Sequence, residues 1–303
     1  MTEIIDNYTK DKSHSTQLSY RNSYNRMNHL LECPCENCSS DDIIKCLTNC
    51  DMPINSKLNL LNVVIVLARQ QKPLNFSFNK IEKFRSKLQE QALAHKIETN
   101  KSLGDELPSL NQLNNYIKNL YDEKKYEEYV INYLLLHFSC RNTDMLIRII
   151  KSAKDIIPEL NYNYLLLRPS YVEFRRFNYK TASTYGVKNK RFKSIKLSNA
   201  LNNIIDKRGD DGSAFLLLNN DGEPYVENNI GAPVRRMTFN EIGEGNYLKV
   251  VIKELQQKEP HLVLNKLRAI SENRGTSLEV LCKDYNVLVA KTTFSKTSAL
   301  QDI

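Results

Sequence analysis

The stretch Phe174–Leu197, FRRFNYKTASTYGVKNKRFKSIKL, decides how the rest of the chain is read. It holds eight Lys or Arg and no acid, in a chain whose Lys+Arg (43) exceed Asp+Glu (35) by only 8. Phe174, Phe177, Tyr179, Tyr185 and Phe192 are interleaved with the cations. Together with the preceding YLLLRPSYVE, this aromatic and β-branched composition predicts antiparallel strands joined around Gly186. Concentrated positive charge with aromatic faces is what docking on a phosphate backbone requires. The candidate backbone contacts are Arg175, Arg176, Lys188, Lys190, Arg191 and Lys193.

Outward from this hairpin the chain reads as helical. Residues 1–15 are polar and expected to be disordered. An amphipathic helix opens at Ser15-Thr16 with Leu18, Tyr24, Met27, Leu30 and Leu31 as its buried stripe. Asn55-Ser56 can cap an apolar helix from Leu58 to Arg69, which Pro73 terminates. Ile81, Phe84, Leu88 and Ala92 mark another long helix. This predicts an all-α unit over residues 16–102. LGDELPSL, residues 103–110, reads as a linker, and 111–303 as a second domain. In that domain helices are expected near 110–121 and 126–140, with a third from Thr143, another at 199–207, and a strand-like AFLLLN before Asn220-Asp221-Gly222. The fold class is therefore α+β, mostly helical, with a small antiparallel sheet.

The 303 residues suffice for two cores, and 41% apolar with 26% charged residues marks a globular chain. The opening MTEIIDNYTKDKSHS lacks a hydrophobic stretch of the secretory kind, and Val63–Ala68 is too short to span a bilayer. An intracellular, soluble protein with no membrane partner is expected. Five of seven cysteines crowd into residues 33–50. Cys35-x2-Cys38 followed by Cys46-x3-Cys50 resembles a four-thiolate zinc site, although the gap between the pairs is short. The alternative is a polar loop and a short helix carrying free thiols.

Three residues could carry chemistry. Arg141 closes the apolar run YLLLHFSC, so its burial demands an anionic partner. Asp144 could orient the guanidinium and leave donors for a phosphate oxygen, or the two could simply cap the next helix. Lys180, near the hairpin tip, can reach a leaving oxygen, or it is one solvated cation of many. Tyr285, in RGTSLEVLCKDYN, carries a phenol with an ordinary pKa of about 10, a poor nucleophile unless cations stabilise its phenolate.

In these motifs the chain resembles the tyrosine recombinase (phage integrase) family over about residues 16–290. That family's first arginine ends a helix and is followed by an acid, as in Arg141-Asn142-Thr143-Asp144. Its lysine lies on a β-hairpin, as does Lys180-Thr181-Ala182. Its third box, Gly-His-Ser, is matched by Gly275-Thr276-Ser277, with Tyr285 nine residues after Thr276. The central His-x-x-Arg box is best matched by Asn246-Tyr247-Leu248-Lys249, with Asn for His and Lys for Arg. Lysine supplies charge without arginine's bidentate fork. His261 lies too far along to replace the box, and Arg235 or Arg236 could align with it instead.

The resemblance implies a helical core-binding domain that clamps double-stranded DNA, followed by a catalytic domain. It implies that Tyr285 attacks a scissile phosphate to form a 3′-phosphotyrosyl intermediate. Arg141 and Lys249 would hold the non-bridging oxygens, Lys180 would protonate the departing 5′ oxygen, and Asn246 and Thr276 would donate supporting hydrogen bonds. No metal or other cofactor is needed for that chemistry. Dimers to tetramers on DNA are expected, with residues 287–303 packing on a neighbouring protomer. The richness in Asn, Lys and Ile points to an AT-rich genome such as a virus or mobile element. Two rival readings are a DNA-binding protein that kept the fold and lost catalysis, and an unrelated basic helical protein with a zinc knuckle.

Overall fold

The computed structural model describes residues 2–71, 76–157, 161–208, 213–258 and 263–285. The chain divides into two compact units between Thr99 and Asn100. The first is helical: α1 (Thr2–Thr9), α2 (His14–Leu31), α3 (Ser40–Asn49), α4 (Ile54–Gln71) and most of α5 (Phe78–Glu106). Its core gathers Met27, Ile43, Leu47, Leu61 and Ile81, all fully buried. Residues 2–9 are helical rather than disordered, because Ile5 enters this core and Thr9 Oγ1 donates to its carbonyl at 2.7 Å. Helix α2 starts earlier than Ser15-Thr16, with Ser13 as N-cap accepting from Thr16 N. Asn55 and Ser56 lie inside α4 rather than capping it, and Pro73 is outside the described residues.

The second unit holds α6 (Leu110–Asp122) and α7 (Tyr126–Phe138). The strands and their linking helices follow: β1 (Ile147–Ile150), β2 (Asn163–Leu167), β3 (Val172–Arg176), α8 (Ala182–Tyr185), β4 (Lys188–Phe192), α9 (Ile195–Arg208) and β5 (Ser213–Phe215). It ends with α10 (Gly231–Arg236), α11 (Gly243–Lys258), α12 (Val263–Arg274) and α13 (Leu278–Tyr285). The chain is thus mostly helical α+β. Ser109 and Gln112 form a reciprocal capping box that starts α6. The segment expected as a linker is not one: Leu103–Glu106 belong to α5, and Leu107 is buried in the core of this unit.

The sheet runs β4-β3-β2-β1-β5 and is mixed rather than antiparallel. Strand β1 pairs in parallel with β2 (Ile147↔Asn163), and the other pairs are antiparallel. The helix expected from Thr143 is a single 3-10 turn, Asn142–Met145, followed by β1. The sequence Ile-Arg-Ile-Ile packs buried residues on both faces of the sheet, which favours a strand over an amphipathic helix. The basic segment does form an antiparallel pair, β3 with β4, joined through α8 and Gly186 at φ +67°. Among the described residues no helix is long and apolar enough to cross a membrane.

Candidate functional site

The site is built where α12 ends. Gly275, at φ +63°, and Thr276 close that helix with a Schellman pair: Gly275 N donates to Glu272 O at 3.2 Å and Thr276 N to Ser271 O at 3.0 Å. A Cβ on Gly275 would fall 2.7 Å from Tyr179 Cε2 and 2.8 Å from Thr181 Oγ1, so only glycine fits the turn.

Four consecutive carbonyls at this helix end each receive a side-chain donor from elsewhere in the unit. Glu272 O accepts from Lys188 Nζ, and Asn273 O from Arg176 Nη2. Arg274 O accepts from Arg141 Nη1 at 2.8 Å, and Gly275 O from the Thr181 hydroxyl. The last carbonyls of a helix lack internal partners and carry the negative end of its dipole, so cations are favoured there. Hairpin and Arg141 are thereby drawn onto one turn.

Arg274 is the centre of the arrangement and is 1% exposed. Its Nη1 donates to Ser139 O at 2.8 Å and Cys140 O at 3.3 Å, carbonyls left open where α7 ends in a left-handed Ser139 (φ 52°). Its Nη2 donates to Glu244 Oε1 at 3.0 Å and to the Tyr285 hydroxyl at 3.0 Å. The guanidinium carbon stands 5.1 Å from the Tyr285 ring centroid, within cation–π range. Glu244, in the first turn of α11, also accepts from Asn142 N. Burial pushes its carboxyl above the ordinary range, against the pull of Arg274.

Arg141 and Asp144 are adjacent, but not as an ion pair of side chains. Asp144 Oδ2 accepts from the backbone N of Arg141 at 2.9 Å, and the guanidinium it faces is that of Arg176, at 3.3 Å. Asp144 is fully buried, which pushes its carboxyl pKa up even with Arg176 beside it. Arg141 itself is half-buried, and its pKa is lowered by burial and then by the charge of Arg274.

The other expected residues fall into three groups. Asn246 and Lys249 lie half-buried on α11, one and two turns from its start, while Tyr247 and Leu248 between them are core residues. The guanidinium that meets Tyr285 is that of Arg274. Thr276 is the Schellman residue described above, and Ser271 Oγ donates to its carbonyl at 2.6 Å. Lys180 is exposed at the hairpin turn, and among the described residues no contact joins its ammonium to Arg141, Arg274 or Tyr285.

Of the expected backbone contacts, Arg176 is 5% exposed and committed inward. Lys188 is half-buried on Glu272 O. Arg175 and Arg191 both pair with the buried carboxylate of Glu173, at 2.7 and 3.2 Å. Lys190 and Lys193 are exposed. His261 and residues 287–303 are outside the described residues.

Arg274 and Glu244 were missed by the sequence reading. An arginine next to a glycine at a helix end looks like an ordinary C-terminal cation. Its position directly before Gly275-Thr276-Ser277 was the available signal.

The candidate zinc ligands Cys35, Cys38, Cys46 and Cys50 are not gathered into one four-thiolate set. Cys35 Sγ, buried, points to Glu36 at 3.7 Å, and among the described residues no group of three or more His, Cys, Asp or Glu is placed to hold a metal ion.

No family model matches the chain, and no curated protein matches it. Among solved structures it is similar to one described as the crystal structure of XerA recombinase, at a TM-score of 0.36 and 11% identity, over 96% of this chain and 94% of that one.

Proposed function

We propose that this chain cleaves and rejoins double-stranded DNA as a divergent tyrosine recombinase, with Tyr285 as nucleophile. The observation that carries the reading is the 3.0 Å bond from buried Arg274 to the Tyr285 hydroxyl, with Arg141 fixed on the carbonyl of the same arginine. A guanidinium bonded to the phenolic oxygen fixes the nucleophilic atom and stands where negative charge develops as it attacks phosphorus. One guanidinium at that oxygen, with a second cation, Arg141, held on the same turn, suits the charge of a pentacoordinate phosphate. In the step, a bond forms between the Tyr285 oxygen and phosphorus while the bond from phosphorus to the 5′ oxygen breaks. The phenol's proton leaves to solvent and Lys180 protonates the departing oxygen. Asn246, Lys249 and Thr276 remain positions from which further donors reach the phosphate. Residues 16–102 supply the second half of a DNA clamp, and the active form is a dimer or tetramer on DNA.

A second reading, a DNA-binding protein without catalysis, is favoured by one observation. Arg274 spends Nη1 on two carbonyls and Nη2 on Glu244 and Tyr285, so both terminal nitrogens are committed within the protein, while its buried Nε has no hydrogen-bond partner among the described residues.

The test is an adduct assay on nicked duplexes drawn from the flanks of the protein's own gene, with wild type beside Tyr285→Phe. A covalent protein–DNA species on a denaturing gel that vanishes in Tyr285→Phe establishes both enzyme and nucleophile. Tight, salt-sensitive binding with no adduct selects the second reading.

A further inference from the structure

The cysteine cluster is not absorbed by DNA chemistry, and it holds one pair in unusual proximity. Cys33 Sγ and Cys38 Sγ lie 2.8 Å apart, both as thiols. A disulfide bond measures about 2.05 Å, so closing this gap asks for under an ångström of movement.

The local backbone explains the approach. Helix α2 ends in a left-handed Glu32 (φ 56°), and Pro34 starts a 3-10 turn, Cys35–Asn37, that reverses the chain. Asn37 N donates to Pro34 O at 2.9 Å and Cys38 N to Cys35 O at 3.3 Å. The loop is pinned from outside: Asn28 Oδ1 accepts from Cys35 N at 2.9 Å, and the Tyr24 hydroxyl donates to the Glu36 carboxylate at 3.3 Å. Cys35, although nearer in sequence to both, is turned away to Glu36.

The geometry points to Cys33 and Cys38 as a disulfide-forming pair, oxidised by a low-molecular-weight disulfide. Their roles differ with their surroundings. Cys33 is half-exposed and open to a small oxidant, whereas Cys38 is 8% exposed. Burial, then the neighbouring Cys33, pushes the Cys38 thiol up to about 12. The Cys33 thiolate therefore attacks first, forming a mixed disulfide and releasing one thiolate. Cys38 sulfur then attacks Cys33 Sγ, its proton passing to the second thiolate expelled. Two protein thiols are oxidised and one small disulfide is reduced to two thiols. The crosslink closes a short loop between α2 and α3, so it stabilises the helical unit by constraining the unfolded chain.

The experiment treats the full chain with glutathione disulfide, alkylates remaining thiols, and digests with a protease that cuts after Glu36, separating Cys33 from Cys38. The expected product is a Cys33–Cys38 linked peptide. It should persist in Cys35→Ser and be lost in Cys33→Ser and Cys38→Ser. The oxidised protein should melt a few degrees above the reduced one. Full alkylation of both residues, pairing of either with Cys46 or Cys50, or stoichiometric zinc that blocks the crosslink would each overturn the assignment.

Discussion

Arg274 donates its Nη2 to the Tyr285 hydroxyl at 3.0 Å while its guanidinium carbon lies 5.1 Å from the same ring. One guanidinium therefore meets the phenol at its oxygen and its π-face, and ties it to Glu244 and to the end of α7.

This double contact separates stability from chemistry. Tyr285→Phe keeps the ring contact and loses one hydrogen bond at a half-buried group, so it should cost only about 1 kcal/mol in urea unfolding. Arg274→Ala strips the partner from a largely buried carboxylate, Glu244, and opens two carbonyls, and should cost about 3–5 kcal/mol. If the two variants cost the same, Arg274 is not the hub described. In the adduct assay, Arg141→Ala should slow adduct formation by about a hundredfold or more, the scale of losing one transition-state donor.

Gly275→Ala tests the turn that gathers the site. Alanine at φ +63° is strained, and its Cβ also meets Tyr179 and Thr181. Gly222 has φ +81° with nothing within 4 Å of an added Cβ, so Gly222→Ala measures strain alone. We expect about 1 kcal/mol for Gly222→Ala and at least about 2 kcal/mol for Gly275→Ala, compared by urea titration. Equal values would mean that the hairpin yields freely.

Glu244 gives a pH signature. Its carboxyl is raised in the folded protein, so between the ordinary value and the raised one the native state binds more protons than the unfolded chain. Its contribution to stability is thus full below about pH 4.3 and is lost as pH rises through the folded value. The unfolding free energy of wild type minus that of Glu244→Gln should fall with rising pH across this window and then level off. A difference that grows with pH would show that the pull of Arg274 outweighs burial.

Much of this arrangement was open to sequence reading, and the remainder failed for identifiable reasons. The end of the apolar helix before Arg141, the β3–β4 pair and the glycine turn were legible because each rests on local chemistry: an apolar run, strand composition, a residue tolerant of positive φ. The partner of Asp144 was not. Arg176 lies far along the chain, and only the register of β3 brings its guanidinium to 3.3 Å from that carboxylate. Strand β1 was missed because its run of β-branched residues is short and pairs in parallel with a strand beyond it in sequence. Leu103–Leu110 looked like a linker because Gly, Pro and acids mask three leucines, Leu103, Leu107 and Leu110, that pack with the core.

The hairpin cations are not equivalent, and this bears on how DNA binding should respond to salt. A cation contributes to the salt slope only if it is available to release a counterion from phosphate. Arg176 is buried, and Arg175 and Arg191 share the carboxylate of Glu173. Lys180 and Lys193 are exposed, and among the described residues neither has an ion-pair partner. Replacing Lys180 or Lys193 by alanine should therefore reduce the slope of log affinity against log salt by about 0.9 for each phosphate that is no longer neutralised. Arg191→Ala should change it less, because Glu173 already offsets that charge. Arg176→Ala should leave the slope nearly unchanged and lower thermal stability instead, since it leaves Asp144 buried without its guanidinium. Equilibrium binding to one duplex at several salt concentrations, with melting curves for each variant, separates these cases. Equal slope changes for Arg176 and Lys193 would show that burial does not decide which cations meet the backbone, and a flat response in the wild type would remove DNA as the partner.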